Sequence, residues 1–518
     1  MCSIIGFVNH ENSKEKTLKA LSTLEQRGKD AYGIYDGNKL EITKSLVDFS
    51  PKDKVTQVID EISSITLGHG LHSIEGFQPQ PIQGKGILIF NGEIYNYKEL
   101  NKQLKITTDS DTQTLLAYLD TQEKISAETL SPLSADYAFA YLKDSLLTLA
   151  RDPLGVKPLW YFVDENSNLE FASEKKVLHE HAKELLPNEI LHYNIENKEV
   201  MIEQRELQKP HQETQDEYHT IKDKTWKLLK EAVKKRLPTN KEKKVGLLFS
   251  GGIDSTVIAL ILKELNCDFI AYTAKIEGNN IEEAQDLIYA DEISRKHFLR
   301  FHVATTHVDE LEQQTIDVMN LIEDNDYIKV SVALPFYLAC KRAQEDGIDI
   351  MFSGLGSEEI FAGYRRHKQA KDPNQECYEG LKIMHQRDLY RDDVITMNFT
   401  QELRVPFLDK ELINYALSIP AKYKLDLEKI EEIKDEVEAK PYLNSEVRSK
   451  IVLRDATREH TKLEEKYLER QKKAAQYGSK FDKGLARLAK NAKMQKQDYL
   501  DMLWKKEIKK ELPQRVEY

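Results

Sequence analysis

The chain has 518 residues, and 75 Lys and Arg against 87 Asp and Glu leave a formal net charge of −12. Such a length allows two large folded units or about three smaller ones, while no stretch approaches the roughly 18 consecutive apolar residues of a membrane span. An acidic chain is a poor general binder of nucleic acid, so nucleic acid and membrane are both excluded as expected partners. The opening MCSIIGFVNHENSKEK lacks the basic segment and the apolar run of a signal peptide. Four scattered cysteines (Cys2, Cys267, Cys340 and Cys377) form no CxxC pair and no zinc spacing. Free thiols and a cytoplasmic enzyme are therefore expected.

The first 203 residues read as a β-rich domain. SIIGFV, GILIF, YAFAYL, LLTLA and LWYFV are strand-length apolar runs separated by Gly, Asn, Asp or Pro. Two segments, KTLKALSTLEQRG and TQTLLAYLDTQEK, have helical periodicity instead. Residues 204–218, QRELQKPHQETQDEY, show no apolar period and are expected to link this domain to a second one spanning 219–518. There VGLLF, FIAYTA and IDIMF alternate with long helical stretches, the pattern of a buried parallel sheet. From about Asp455 the chain is helical and rich in charge, and its basic residues read as a solvated face.

Cys2 directly follows the initiator Met1. Removal of Met1 would set its thiol beside a free α-amine, whose reference pKa of about 7.7–8.0 lets it accept a proton near neutrality. A thiol with its own base is a nucleophile for acyl groups, although Cys2 alone also suits a buried first strand. Asn91-Gly92 after GILIF is by itself a turn, yet an Asn amide and a Gly N–H also form a donor pair for an oxyanion. Arg27-Gly28-Lys29-Asp30, Gly68-His69, Ser110-Asp111-Thr112 and the run ARDPLGVKP after LLTL have, one by one, turn, cap or ion-pair explanations. As an ordered set they resemble the class II glutamine amidotransferase domain, an N-terminal-nucleophile hydrolase built as an αββα sandwich. The resemblance implies that Cys2 attacks the glutamine amide, that Asn91 and Gly92 stabilise the oxyanion, and that Glu93 and Asp111 hold the α-amino end. Ammonia would be the product. Where that family carries GHxRLxI this chain carries GHGLHSI, so Leu71 stands at the arginine that clamps the glutamine α-carboxylate, with His72 next to it.

Ser250-Gly251-Gly252-Ile253-Asp254-Ser255 lies between VGLLF and an apolar helix. Glycines admit an anion close to the backbone, and the helix N-terminus adds unpaired N–H groups and a positive dipole end. No Gly-Lys-Ser/Thr follows, so this is not a Walker A loop. It resembles the pyrophosphate loop of ATP pyrophosphatases, with Ser250, Gly251, Gly252, Asp254 and Ser255 at the nucleotide. A second turn, SGLGSEE, follows IDIMF at the carboxyl end of a strand, where ligand crevices form. Its carboxylates are hard oxygen ligands suited to Mg²⁺.

The two turns together resemble the synthetase domain of glutamine-hydrolysing asparagine synthetases, whose second motif is usually SGEGSDE. By that resemblance Ser353 and Gly354 contact ATP, Asp254 and Glu358 hold Mg²⁺, and Leu355 replaces a glutamate near the reacting centre. ELRVPFLD matches the family's E-A-R-x-P-F-L-D, and Glu323 and Asp326 match its E-T-Y-D spacing. Ser449-Lys450-Ile451-Val452-Leu453-Arg454 resembles its K-x-x-L-R. Arg470-Gln471-Lys472 resembles its R-x-K, which implies a catalytic contact from Lys472 to the acyl-adenylate and pyrophosphate. RDDVI and AQYGS are most like a divergent asparagine synthetase domain-containing branch. The expected architecture is thus an α+β sandwich followed by an α/β ATP-pyrophosphatase domain with a helical C-terminal part. The expected reaction is amidation of aspartate by glutamine-derived ammonia through an acyl-adenylate, using ATP and Mg²⁺ and releasing AMP and pyrophosphate. Glutamine, aspartate and ATP are the expected small-molecule partners, and a homodimer is compatible. Leu71 and Leu355 leave two alternatives open: amidation of a different carboxylate, or a regulatory member that keeps ATP binding without catalysis.

Overall fold

Every residue of the first strand, β1 (Ser3–Val8), is buried, and its side chains divide with the period of two that a strand imposes. Ile4 and Val8 enter one core, Ile5 and Phe7 another. A strand with two apolar faces needs a layer on each side. The computed structural model supplies both layers; it describes residues 2–49, 65–207, 209–210, 212–278, 284–434, 447–470 and 475–508. These form two compact units, one of residues up to Leu207 with Pro238–Lys241 and Met397–Thr400, the other made of the remainder.

In the first unit β1 is followed by β2 (Ala31–Tyr35), β3 (Leu40–Thr43), β4 (Ile65–Leu71), β5 (Ile82–Gln83), β6 (Ile87–Ile94) and β7 (Ala135–Lys143). Then come β8 (Leu146–Arg151), β9 (Trp160–Val163), β10 (Leu169–Ala172), β11 (Lys183–Glu184), β12 (Glu189–Asn194) and β13 (Val200–Gln204). They make two antiparallel sheets, ordered β11-β9-β10-β1-β4-β2-β3 and β13-β12-β8-β7-β6-β5. Between the sheets Ile4 and Leu67 meet Ile89, Ala140, Leu149 and Leu191. The helix Ser13–Thr23 covers the first sheet through Ala20 and Leu21. The helices Tyr97–Leu104 and Asp111–Asp120 cover the second through Leu100, Leu115 and Leu119, against Leu88, Phe90 and Phe139. Each such side chain contributes about 1.5–3 kcal/mol on burial. This is the αββα sandwich. Its first helix starts three residues before KTLKALSTLEQRG and stops at Thr23, because the chain tightens into a 3₁₀ turn, Glu25–Arg27, that carries Arg27 into the interior.

The second unit is built on five parallel strands, β14 (Val245–Leu248), β15 (Phe269–Glu277), β16 (Arg300–His307), β17 (Ile350–Phe352) and β18 (Glu402–Arg404). Their order is β16-β15-β14-β17-β18. The chain therefore winds outward from β14 through β15 to β16, then returns to add β17 and β18 on the other side. That reversal opens a crevice at the carboxyl ends of β14 and β17. Helices Ile451–His460, Phe481–Asn491 and Lys496–Leu503 belong to the C-terminal part. Lys472 lies outside the described residues. Among the described residues no helix is long and apolar enough to cross a membrane.

Candidate active sites

Cys2 is buried against Leu71 and Ala31 at the head of β1. Its backbone N–H donates to Oδ1 of Asn91 at 2.9 Å, so the two candidate residues are adjacent. Asn91 is wholly buried on β6, and its Nδ2 has no hydrogen-bond partner among the described residues. An orphaned buried amide donor is costly to fold. Beside a thiol, that same donor is ready for an oxyanion.

Neighbouring strands fix the position of Asn91. His69 reaches from β4 in one sheet to β6 in the other, its Nε2 3.2 Å from the Phe90 carbonyl. Gln80 donates to the same carbonyl at 3.2 Å and accepts the Phe90 N–H at 2.7 Å. Burial lowers the His69 pKa to about 3, which keeps the ring neutral. Gly92 is required by close approach, since a Cβ there would lie 2.2 Å from the Asp136 carbonyl oxygen. Asp111 opens the helix Asp111–Asp120 and accepts the Ile94 N–H at 3.0 Å, which ties that helix to the end of β6; Glu93 lies on β6 opposite Asp136.

Arg27 serves the backbone of the nucleophile: its Nε donates to the Cys2 carbonyl at 3.3 Å and its Nη1 pairs with buried Glu174 at 2.9 Å. Leu71 presents only apolar surface to Cys2, and the adjacent His72 stands 3.9 Å from Asp30. ARDPLGVKP is a self-closed loop. Buried Asp152 accepts the N–H groups of Leu154, Val156 and Lys157 at 3.1, 2.9 and 3.0 Å, while Arg151 donates to the carbonyls of Gly155 and Lys157.

In the second unit SGGIDS leaves β14 and SGLGSEE leaves β17, so both flank the strand-order reversal. Gly251 has φ +64, and a Cβ there would lie 2.7 Å from the Ala290 nitrogen. Gly252 caps the helix Ile253–Glu264, whose first turn carries Asp254 and Ser255. Ser250 Oγ accepts the Gly252 N–H at 3.3 Å, and the Ser255 hydroxyl donates to the Gly252 carbonyl at 3.2 Å. Gly354 lets the turns touch: a Cβ on it would be 2.9 Å from that of Asp254. Ser353 Oγ accepts the Leu355 N–H at 3.3 Å, and Ser357 donates to Asp254 Oδ1 at 2.6 Å.

A cavity of about 780 Å³ opens over these turns, lined by Ser250, Ser255, Ser353, Leu355, Glu358 and Lys450 among others. Arg387 and Asp388, within a π turn at His385–Leu389, and Arg391 and Asp392, in the helix Tyr390–Asn398 that follows, add a charged wall to it. Arg387 pairs with Asp388 at 2.5 Å and with buried Glu359, and Arg391 pairs with Asp392 at 2.7 Å. Burial pushes the Asp392 carboxyl up to about 6 even beside the Arg391 guanidinium.

Three parts of this site stand in motifs that the sequence shows without giving their roles. Lys450 bridges Asp254 at 2.6 Å and Glu358 at 2.9 Å. Arg470 donates to the Ser250 carbonyl at 2.8 Å and pairs with Asp286, so it braces the first turn. The charged wall is the third: RDDVI holds its Arg391 and Asp392, and the Arg-Asp pair is repeated four residues earlier at Arg387 and Asp388. Other matched motifs are framework. Glu402 and Arg404 pair within β18 at 2.6 Å, Asp409 caps the helix Lys410–Ser418 and pairs with Arg236 at 3.0 Å, and Asp326 caps the helix Tyr327–Glu345. Glu323 accepts a hydrogen bond from the Tyr390 hydroxyl at 2.9 Å.

Asp254 and Glu358 suit Mg²⁺, which commonly takes one or two carboxylates and completes its shell with phosphate and water. Among the described residues no group of three or more His, Cys, Asp or Glu could hold a metal ion, so such an ion would need the substrate's oxygens as well.

The sequence matches the asparagine synthase family over residues 224–374 and 368–517, and the glutamine amidotransferase domain family over residues 51–226. A putative glutamine-hydrolysing asparagine synthetase from Methanocaldococcus jannaschii is 32% identical, covering 98% of this chain and 99% of its own. The glutamine-hydrolysing asparagine synthetase of Gallus gallus is 29% identical over 82% of this chain and 77% of its own. Asparagine synthetase B of Escherichia coli K12 is 26% identical over 82% and 76%.

Proposed function

The chain belongs to the asparagine synthase family, and from that premise we propose that it makes asparagine from aspartate and ATP with glutamine as the amide donor. The observation that carries this reading is the meeting of two glycine-bearing turns, SGGIDS and SGLGSEE, at the strand-order reversal, over one cavity. In the first unit the Cys2 thiolate attacks the glutamine amide carbon, and the α-amine left by removal of Met1 takes the thiol proton. The oxyanion is met by Asn91 Nδ2, supported by that atom's lack of another partner among the described residues, and by the Gly92 N–H. The carbon–nitrogen bond breaks, ammonia leaves, and water releases glutamate from the thioester. Glu93 and Asp111 hold the α-amino end of the substrate.

In the second unit the N–H groups of the SGGIDS turn and the helix N-terminus bind ATP phosphates, with Ser250, Ser255, Ser353 and Gly354 around them. An aspartate carboxylate oxygen attacks the α-phosphorus and pyrophosphate leaves. Ammonia then attacks the activated carbonyl and AMP departs, giving the amide. Asp254 and Glu358 would hold Mg²⁺, which when bound neutralises charge on the pyrophosphate; Lys472 is assigned the neighbouring contact. The wall of paired Arg387, Asp388, Arg391 and Asp392 matches a zwitterionic amino acid, which supports aspartate as acceptor. A cytoplasmic location and a homodimer belong to the same proposal. A second reading, amidation of another carboxylate, is favoured by one observation: Leu355 brings an apolar side chain to the cavity where the family carries a glutamate.

The test supplies MgATP and aspartate with either amide-labelled glutamine or ammonium to protein whose Met1 is absent by mass spectrometry. Labelled asparagine with matching AMP is expected. Asparagine from ammonium alone would refute glutamine use. AMP formed only with other acids would move the chain to the second reading, and no product from any acid would overturn both.

A further inference from the structure

Lys450 is almost wholly buried, with 3% of its side chain exposed, between the two carboxylates read above as metal ligands. Its Nζ lies 2.6 Å from Asp254 Oδ1 and 2.9 Å from Glu358 Oε1. Two features show that the position is built. The Lys450 backbone is left-handed, with φ +55, a conformation that a β-carbon disfavours. Gly363 leaves the room it needs, because a Cβ there would stand 2.4 Å from Lys450 Cε and 1.6 Å from Glu358 Oε2. Two buried carboxylates this close repel each other unless a cation sits between them, and the ammonium supplies that charge. It also takes one oxygen of each carboxylate that a divalent ion would share.

We propose that Lys450 is a positioning residue, a resident counter-cation that holds Asp254 and Glu358 in register before substrate arrives and competes with Mg²⁺ for them. Metal alone then gains little, because it must displace an ammonium already paired on both sides. ATP changes the balance: its phosphates give the lysine a new acceptor while completing the metal's shell, so metal and nucleotide enter together. This inference rests on the reading of Asp254 and Glu358 as metal ligands.

The test measures thermal unfolding of the full chain in EDTA and in Mg²⁺ alone, for wild type, Lys450→Met and Lys450→Arg. Wild type and Lys450→Arg are expected not to respond to Mg²⁺. Lys450→Met should unfold at a lower temperature in EDTA and recover by about 3 °C in ~10 mM Mg²⁺, since a ligand that binds only the folded state stabilises it. A Lys450→Met chain indifferent to Mg²⁺, or a wild type that gains as much, overturns the proposal. Lost packing alone would lower the variant without making it respond to Mg²⁺.

A measurement on wild type stands even if the variant does not fold. Mn²⁺ partitioned by ultrafiltration should pass the membrane with protein alone and be retained with the protein when ATP is added, beyond what passes as the Mn²⁺–ATP complex without protein. Mn²⁺ retained at micromolar concentration without nucleotide overturns the counter-cation role. Mn²⁺ that is not retained even with ATP overturns the underlying ligand assignment.

Discussion

Asn91 divides two tasks between the atoms of one amide: Oδ1 fixes the Cys2 backbone, and Nδ2 is buried without a partner among the described residues. If that donor serves an oxyanion, Asn91→Ala should lower glutamine-dependent kcat by about 10²–10³-fold and leave the ammonium-dependent rate unchanged. Steady-state assays with the two nitrogen donors check this, and equal losses with both would sink the assignment. His69 acts one residue upstream, through the Phe90 carbonyl, and gives a pH test. Burial holds its folded pKa at about 3, against about 6.5 unfolded. The unfolded chain therefore binds the proton first, and the stability contribution is full above about pH 6.5 and falls as pH drops towards 3. Relative to His69→Phe, wild type should lose about 1.4 kcal/mol per pH unit across that window, read by urea unfolding at successive pH values. The variant keeps the Phe90 carbonyl bonded through Gln80.

The turns after β14 and β17 form one site only because Gly354 lets them touch. A methyl group at Gly354 would meet Asp254 at 2.9 Å, and the overpacking costs about 1–3 kcal/mol if the turns must part to relieve it. Gly354→Ala is accordingly expected to weaken MgATP binding by about 5- to 150-fold, measured by calorimetric titration, with the parallel sheet intact by circular dichroism. Unchanged affinity would show that the turns need not touch. Both turns are visible in sequence because each is contiguous and ends an apolar run. β1 and β14 are visible for the same reason, being apolar on both faces. β16 is not: it is an edge strand with Arg300, His302 and His307 among its residues, and its apolar signal is correspondingly thin. β18 has three residues, too few for any period to register. Lys450 is visible as part of a K-x-x-L-R motif, but its pairing is hidden for a different reason. Its partner Asp254 is 196 residues away, and only the packing of the helix Ile451–His460 joins them. The charged wall is likewise a product of packing, since Arg and Asp on a helix read as solvent-facing until a cavity opens beside them.

Each unit carries its own core and its own set of reactive groups. The thiol, the orphan amide and the His69 bridge all belong to the sandwich. Every residue lining the large cavity belongs to the parallel-sheet unit. Ammonia is the only species that the first chemistry must hand to the second, and it can also be supplied from solution. Cys2→Ala should therefore abolish glutamine-dependent asparagine formation and keep the ammonium-dependent rate within about twofold, because it removes the nucleophile and touches no ATP-binding group. Truncating one buried sulfur also costs stability, about 1 kcal/mol, which thermal unfolding will register in the sandwich. Retained glutamine use would remove Cys2 from its role. Loss of both activities with the fold intact would show instead that the synthetase site depends on an active thiol. The separate cores argue against that outcome, since a side chain lost from one interior leaves the packing of the other in place.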